Sequence, residues 1–386
     1  MRTEAVRIDR DALVRTLAGL VRIDSVNPAF GGPGERRIAE HVRGAMEALG
    51  MATRWHEPVA GRSSVAGRLR GSGSGPTLML YAHHDTVGVD GMEAPFTPRV
   101  EGERMYGRGT VDMKGGLAAC LAAVEAVVRS GVCLAGDVLL VSVADEEAAS
   151  LGMEEVLRHH TADAAILTEP TGLEMVVAHR GFCWIEVETY GRAAHGSLFA
   201  EGIDANLHMG RLLAGLDALA AELVRRPAHP LAGPPSLHAA VLEGGTGWST
   251  YADRCTLRLE RRTVPGETDA AVLAEVQALV DALAAEDPSF RASARIVLAR
   301  PSWEADPAAP VAATVESAAA AVLGHAPRRA GAPYWMDAAL IGAAGIDAVV
   351  IGADGGGAHT PGEWTDLASV HRLPEILARS VVGFCG

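Results

Sequence analysis

The chain has 386 residues, 48% apolar and 21% charged, the balance of a globular protein of two or three domains. Lysine and arginine number 34 against 48 aspartates and glutamates, a formal net charge of −14 that argues against a hold on nucleic acid. Every apolar run of about 18 residues carries a charge, so no membrane span is expected.

The amino-terminal stretch MRTEAVRIDRDALVR is charged and helix-like and lacks the apolar centre of a secretory signal. Five widely spaced cysteines (Cys120, Cys133, Cys183, Cys255, Cys385) include no C-x-x-C, so they read as free thiols in a reducing cytoplasm. Apolar residues at helical spacing predict helices over 10–23 and 35–49. A Gly/Ser turn at 71–76 leads into a short apolar run at 77–82, and similar runs recur at 138–144, 164–168 and 348–352. Helices are predicted between them at 115–129, 150–160 and 311–323. Continuous apolar strands alternating with helices imply an α/β fold with a mostly parallel sheet covered by helices. The middle of the chain differs: strand 182–190, helix 203–225, strands 237–242 and 254–261, helix 267–285, strand 291–299. That β-α-β-β-α-β order is a module of its own. The expected organisation is therefore a domain split into 1–178 and 300–386, with an insertion over 179–299.

Ligands bind beyond the carboxyl ends of parallel strands, and there each predicted strand of the split domain meets side chains that bind metal. The first runs into His83-His84-Asp85, the second into Asp145-Glu146-Glu147 and the third into Glu169-Pro170-Thr171. The fourth leads through Gly355-Gly356-Gly357 into His359, and Asp112 precedes the helix opened by Gly115-Gly116. Each alone has an ordinary explanation as a helix cap or a solvated loop residue. Convergence of five on one sheet edge does not. Two histidines and three carboxylates without a thiolate suit zinc, and also manganese or cobalt. Two metals about 3.5–4 Å apart require one carboxylate to bridge. Asp85, two residues from His83, is placed to accept the other ring N–H and orient the imidazole. Of Glu146 and Glu147, one can hold metal while the other faces water as general base. No G-x-S-x-G, P-loop, G-x-G-x-x-G or H-E-x-x-H occurs.

The stretches AHHDTV (82–87), GRGTVDMKGG (107–116), ADEEAAS (144–150), TEPT (168–171), GRAAHGS (191–197), ERRTVPGET (260–268) and GIDAVVIGADGGGAHTPGEWTDL (345–367) resemble the zinc-dependent acetylornithine deacetylase / succinyl-diaminopimelate desuccinylase family. That family also holds aminoacylases and glutamate carboxypeptidases. The resemblance implies that 1–178 and 300–386 form a catalytic domain and 179–299 a lid and dimerisation domain. It implies one metal on His83, Asp112 and Glu169 and a second on Asp112, Glu147 and His359, with Asp112 bridging. The metals would be zinc, with cobalt or manganese as alternatives. Glu146 becomes general base and later acid, supported by Asp85. His195 would reach a neighbouring active site in a homodimer and stabilise the oxyanion. Arg262 would meet the substrate carboxylate. Ser249 and Ala252 stand where many relatives carry Asn and Pro, with Ser249 a substrate contact. Lys114 and Arg108 read as scaffold, and His84 as a variable position within its motif. His179 and Arg180 fall at the hinge into the insertion, with either role open. The expected reaction is hydrolysis of the amide of an N-acyl amino acid by a cytoplasmic enzyme. The alternatives are a dipeptidase or carboxypeptidase of the same family, a carbamoyl hydrolase, or a non-catalytic member that binds metal or a partner.

Overall fold

The computed structural model describes residues 6–386, so the first five residues of the charged amino-terminal stretch lie outside the described part. Helix α1 (Arg10–Val21) opens where Asp9 accepts the Ala12 N–H, and it buries Leu13, Leu17 and Leu20 on one stripe. α2 (Arg36–Ala48) buries Ile38, Val42 and Met46 in the same way. An antiparallel pair without a predicted counterpart follows, β1 (Ala52–His56) and β2 (Ser64–Leu69). At position 67 of β2 a Cβ would meet Met46 Sδ at 2.8 Å, so a larger residue there requires the Met46 side chain to shift. Next come β3 (Leu78–His83), the hairpin β4 (Arg99–Glu101) and β5 (Arg104–Tyr106), and α3 (Gly115–Ser130), which Gly131 ends in the left-handed conformation. β6 (Val138–Val143), α4 (Leu151–Leu157), β7 (Ala164–Leu167) and β8 (Met175–His179) complete this stretch.

The middle of the chain forms β9 (Gly181–Tyr190), α5 (Ala205–Leu223), β10 (Ser236–Gly244), β11 (Arg254–Thr263), α6 (Asp269–Glu286), β12 (Arg291–Arg300) and β13 (Trp303–Glu304). After it come α7 (Pro310–Leu323), β14 (Arg329–Ala332), α8 (Ala338–Ala343), β15 (Asp347–Val350), β16 (Gly355–Gly356), β17 (Trp364–Asp366) and α9 (Leu367–Cys385). Two compact units result. One ends at Val177 and resumes as Ala305–Ala330 and Met336–Gly386; the other comprises Ala178–Glu304 with Gly331–Trp335.

In the first unit the main sheet runs β1-β2-β6-β3-β7-β15-β8. Its four central strands are parallel, and the outer ones pair antiparallel. β3, β6 and β7 are buried at every position, as strands covered on both faces must be. Helices supply the cover: α3 and α9 pack on each other and on β3, and α2 and α4 pack on β2. A small sheet, β16-β17-β5-β4, stands apart from the main one. The second unit is an antiparallel sheet, β10-β11-β9-β12. Alternate residues Ile185, Val187, Leu257 and Leu259 form one core with Leu212 and Leu216 of α5 and Val276 of α6.

Candidate metal centre

The parallel register brings the turns together. His83 ends β3 opposite Val143 at the end of β6, so the turn 145–147 leaves the sheet beside it. Glu169 follows β7, the other neighbour of β3. His359 lies in the loop between β16 and β17, and Asp112 in the tight turn ahead of α3. Asp145 (φ 72°) and His359 (φ 61°) both take the left-handed backbone conformation. For a non-glycine residue that costs about 1–2 kcal/mol, and such strain concentrates where side chains must be aimed.

Asp112 lies between two imidazoles. Its Oδ1 is 3.1 Å from His83 Nε2 and its Oδ2 is 3.2 Å from His359 Nε2. Each imidazole has a further carboxylate: Glu169 Oε2 lies 3.7 Å from His83 Nε2, and Glu147 Oε2 lies 3.0 Å from His359 Nε2. Ligand atoms of His83, Asp112 and Glu169 fall within 4.8 Å of one another, as do those of Asp112, Glu147 and His359. Glu146 Oε2 is 4.0 Å from His83 Nε2, at the edge of the first group.

The electrostatics are those of a centre built for positive charge. Burial, Glu169 and Asp337 push the Glu146 carboxyl well above the usual range. Burial and Asp112 raise Glu147 to about 7, and burial also raises Glu169. Burial opposes the charge of Asp112 too, but hydrogen bonds from His359 and His83 outweigh it and hold that carboxyl low. His359 is drawn up to about 10 by its bonds to Asp112 and Glu147. Glu147 Oε1 and Glu169 Oε1 are buried without a hydrogen-bond partner. A buried carboxylate oxygen left unpaired is costly, and a divalent cation satisfies it. The oxygen/nitrogen donor set therefore fits two divalent ions, as the sequence led us to expect.

Residues around this group fix its geometry. Asp85 is buried and accepts the main-chain N–H groups of Glu146 and Glu147, each at 3.2 Å, and Asn27 Nδ2 at 2.9 Å. The nearest acceptor to His83 Nδ1 is the main-chain carbonyl of Asp85, at 3.1 Å, with the carboxylate Oδ1 at 3.5 Å. Asp85, expected to accept this ring N–H through its carboxylate, presents both its carbonyl and its carboxylate to the ring nitrogen. Asn27 also donates to Asp145, which Arg62 pairs with the buried Glu35.

A second buried carboxylate, Glu363, accepts the N–H groups of Gly109 (2.8 Å), Val111 (3.0 Å) and Asp112 (3.2 Å) and pairs with Arg108 at 2.6 Å. It holds the Asp112 turn. Asn27, Glu363 and Asp337, whose Oδ2 accepts the Tyr81 hydroxyl at 2.6 Å, went unrecognised in the sequence. Glu363 lies inside the quoted PGEWTDL stretch, but nothing in the spacing told it from a surface acid. Lys114 is buried and donates to the Ile23 carbonyl at 2.9 Å, and His84 is buried between Ser142 and the Ser63 carbonyl. Both occupy the framework.

The remaining expected site residues belong to the second unit. His195 is held by Ser197, with Nδ1 2.8 Å from its hydroxyl, and bridges Thr250 through the backbone. The Ser249 carbonyl accepts the Gly196 N–H at 2.8 Å, so His195 and Ser249 share one loop pair. Arg262 is not with them. Its Nε donates to Glu260 at 2.7 Å, and its guanidinium lies over the Phe182 ring.

The family model of peptidase family M20/M25/M40 matches residues 79–382. An acetylornithine deacetylase of Myxococcus xanthus is 30% identical over 323 residues, 82% of each chain. N-formyl-4-amino-5-aminomethyl-2-methylpyrimidine deformylase of Bacillus subtilis (strain 168) is 26% identical over 381 residues, 90% of this chain and 89% of its own. The crystal structure of aminopeptidase PepT from Bacillus cereus ATCC 10987 superposes with a TM-score of 0.81 at 18% identity, covering 98% of this chain and 100% of that one. The chain belongs to peptidase family M20/M25/M40 and is a hydrolytic enzyme.

Proposed function

From that membership we propose that the chain is a dinuclear-metal-dependent deacylase that cleaves the amide bond of an N-acyl amino acid. The observation that carries the reading is Asp112, with one oxygen toward each imidazole and a further carboxylate beside each. His83, Asp112 and Glu169 would hold one divalent ion and Asp112, Glu147 and His359 the other, zinc before cobalt or manganese. Bound metal supplies Lewis acidity that polarises the scissile carbonyl and acidifies water to a pKa of about 7.

The chain's own groups do the rest. Glu146 takes the proton from the attacking water and returns it to the leaving amine. Asp85 fixes the main chain of Glu146 and Glu147, so base and ligand keep their separation. His195 stabilises the developing oxyanion, and Ser249 contacts substrate. Arg262 meets the substrate carboxylate after releasing Glu260. The second unit serves as lid and as the surface of a homodimer, and the enzyme works in the cytoplasm.

The similarity to acetylornithine deacetylase across most of both chains favours the N-acyl amino acid over a dipeptide. The family description leaves peptide hydrolysis by the same centre as the second reading. Turnover of N-acetyl and N-succinyl amino acids and of dipeptides by zinc-loaded protein decides between them. Cleavage of dipeptides alone overturns the deacylase reading, and sedimentation tests the dimer.

A further inference from the structure

The first unit carries another group of metal-binding side chains, none of them a residue of the centre above. His56 ends β1 and is buried; Glu155 lies on α4; His159 and His160 follow where that helix stops. Glu155 is on the last turn of α4, and His159, four residues on, lies in the turn that follows it. His159 Nε2 is 2.8 Å from Glu155 Oε1, and His56 Nδ1 is 4.0 Å from the same oxygen. One atom from each of the three residues falls within 4.8 Å of the others. Ligand atoms around one tetrahedral zinc stand about 3.3 Å apart, and the His56 and His159 rings, stacked with centroids 5.4 Å apart, turn toward a common point to bind one.

Two neighbours decide whether the imidazoles can bind. His160 Nε2 is 2.9 Å from His56 Nε2, so one proton is shared there. Carried on His56 Nε2, it leaves Nδ1 with its lone pair toward Glu155. A ligating histidine is commonly oriented in this way, through its second nitrogen. Arg54 works the other way. Its Nη2 is 3.1 Å from His159 Nδ1, which keeps the His159 proton on Nε2 against Glu155. Binding a cation moves that proton to Nδ1 and displaces Arg54, which is exposed and free to swing into water.

We propose that His56 Nδ1, Glu155 Oε1 and His159 Nε2 form a further site for one divalent transition-metal ion, with His160 orienting His56. Two imidazoles and a carboxylate select zinc, nickel or copper over magnesium or calcium. The ion ties the end of β1 to the end of α4. Water completes its coordination, because His159 lies at the surface.

Equilibrium dialysis of the full chain against zinc alone, with the metal counted by mass spectrometry, tests this. The wild type is expected to bind one more equivalent than His159→Ala, and kcat of the variant should stay within about twofold. Glu155→Gln keeps the side-chain shape and should weaken the same equivalent at least tenfold. Arg54→Ala should tighten it several-fold by removing the competing donor. A zinc-dependent shift of the His159 ring resonance locates the ion independently of activity. Equal zinc counts in wild type, His159→Ala and Glu155→Gln, each folded by circular dichroism, overturn the proposal. The count stands apart from the deacylase reading, since failure of every substrate would leave it unchanged.

Discussion

Two buried carboxylates that coordinate nothing decide how the proposed centre is held. Asp85 fixes the Glu146-Glu147 main chain, and Glu363 fixes the Asp112 turn through three N–H groups. Glu363→Gln leaves the Arg108 guanidinium buried without its counter-charge. Breaking a buried pair from one side costs about 3–5 kcal/mol, so denaturant unfolding should show a loss of that order. Zinc affinity should fall about 10–100-fold with it. Wild-type stability in this variant would show that the turn does not depend on Glu363. Glu146→Gln addresses the chemistry itself: metal content near wild type, with kcat lowered by about 10²–10⁴-fold. Turnover at the wild-type rate removes Glu146 from the mechanism. The proposed ligand types were legible in the sequence because His83, Glu147 and Glu169 follow strands that end at one sheet edge. Glu363 and Asn27 were not, because burial turns an ordinary acid or amide into a structural group, and burial is tertiary.

Among elements, the parallel strands and the inserted module could be read from the sequence, since uninterrupted apolar runs and a change of period mark them. β1 and β2 could not. β2 carries Arg68 and a glycine, and β1 has no aliphatic residue larger than alanine, so neither reads as an apolar strand. The predicted helix over 150–160 stops at Leu157, which leaves His159 and His160 in the turn beyond it. Near the entry to β6, Asp137 accepts the Gly71 N–H at 2.9 Å and the Arg68 and Arg70 guanidiniums at 3.0 Å each. Burial works against its charge, but the Gly71 and Arg68 bonds outweigh it, and its pKa lies below the ordinary 3.8. A carboxyl lowered in the folded state contributes stability that is present above the unfolded pKa and lost as pH falls through the folded one. Asp137→Asn should therefore cost about 1–3 kcal/mol at pH 7, with the difference from wild type closing below pH 3.8. A difference that does not change with pH would show that the charge contributes nothing there.

For the molecule as a whole, the acidic surplus acquires a local meaning. Asp112, Glu146, Glu147 and Glu169 are gathered at one edge of the sheet, and two divalent ions would offset four of the fourteen excess negative charges. A ligand that binds only the folded state stabilises it by about 2.7 kcal/mol at a hundredfold excess over its Kd. Two ions should raise the unfolding temperature of the first unit by roughly 10 °C. Chelator treatment followed by calorimetry should reveal that drop, and zinc should reverse it. An unchanged transition would mean that the carboxylates are satisfied without metal.

The first unit is discontinuous in sequence, with the second unit inserted between Val177 and Ala305. Arg108 and Glu363, whose pairing closes the Asp112 turn, are separated by 255 positions. During translation the amino-terminal strands emerge long before the segment that carries Glu363 and His359. The unit therefore has to wait while the insertion, made of contacts local to itself, folds first. Metal delivered to the nascent chain would find only His83, Asp112, Glu147 and Glu169, without the second imidazole. Complete loading of both proposed ions would thus be an event of the finished polypeptide.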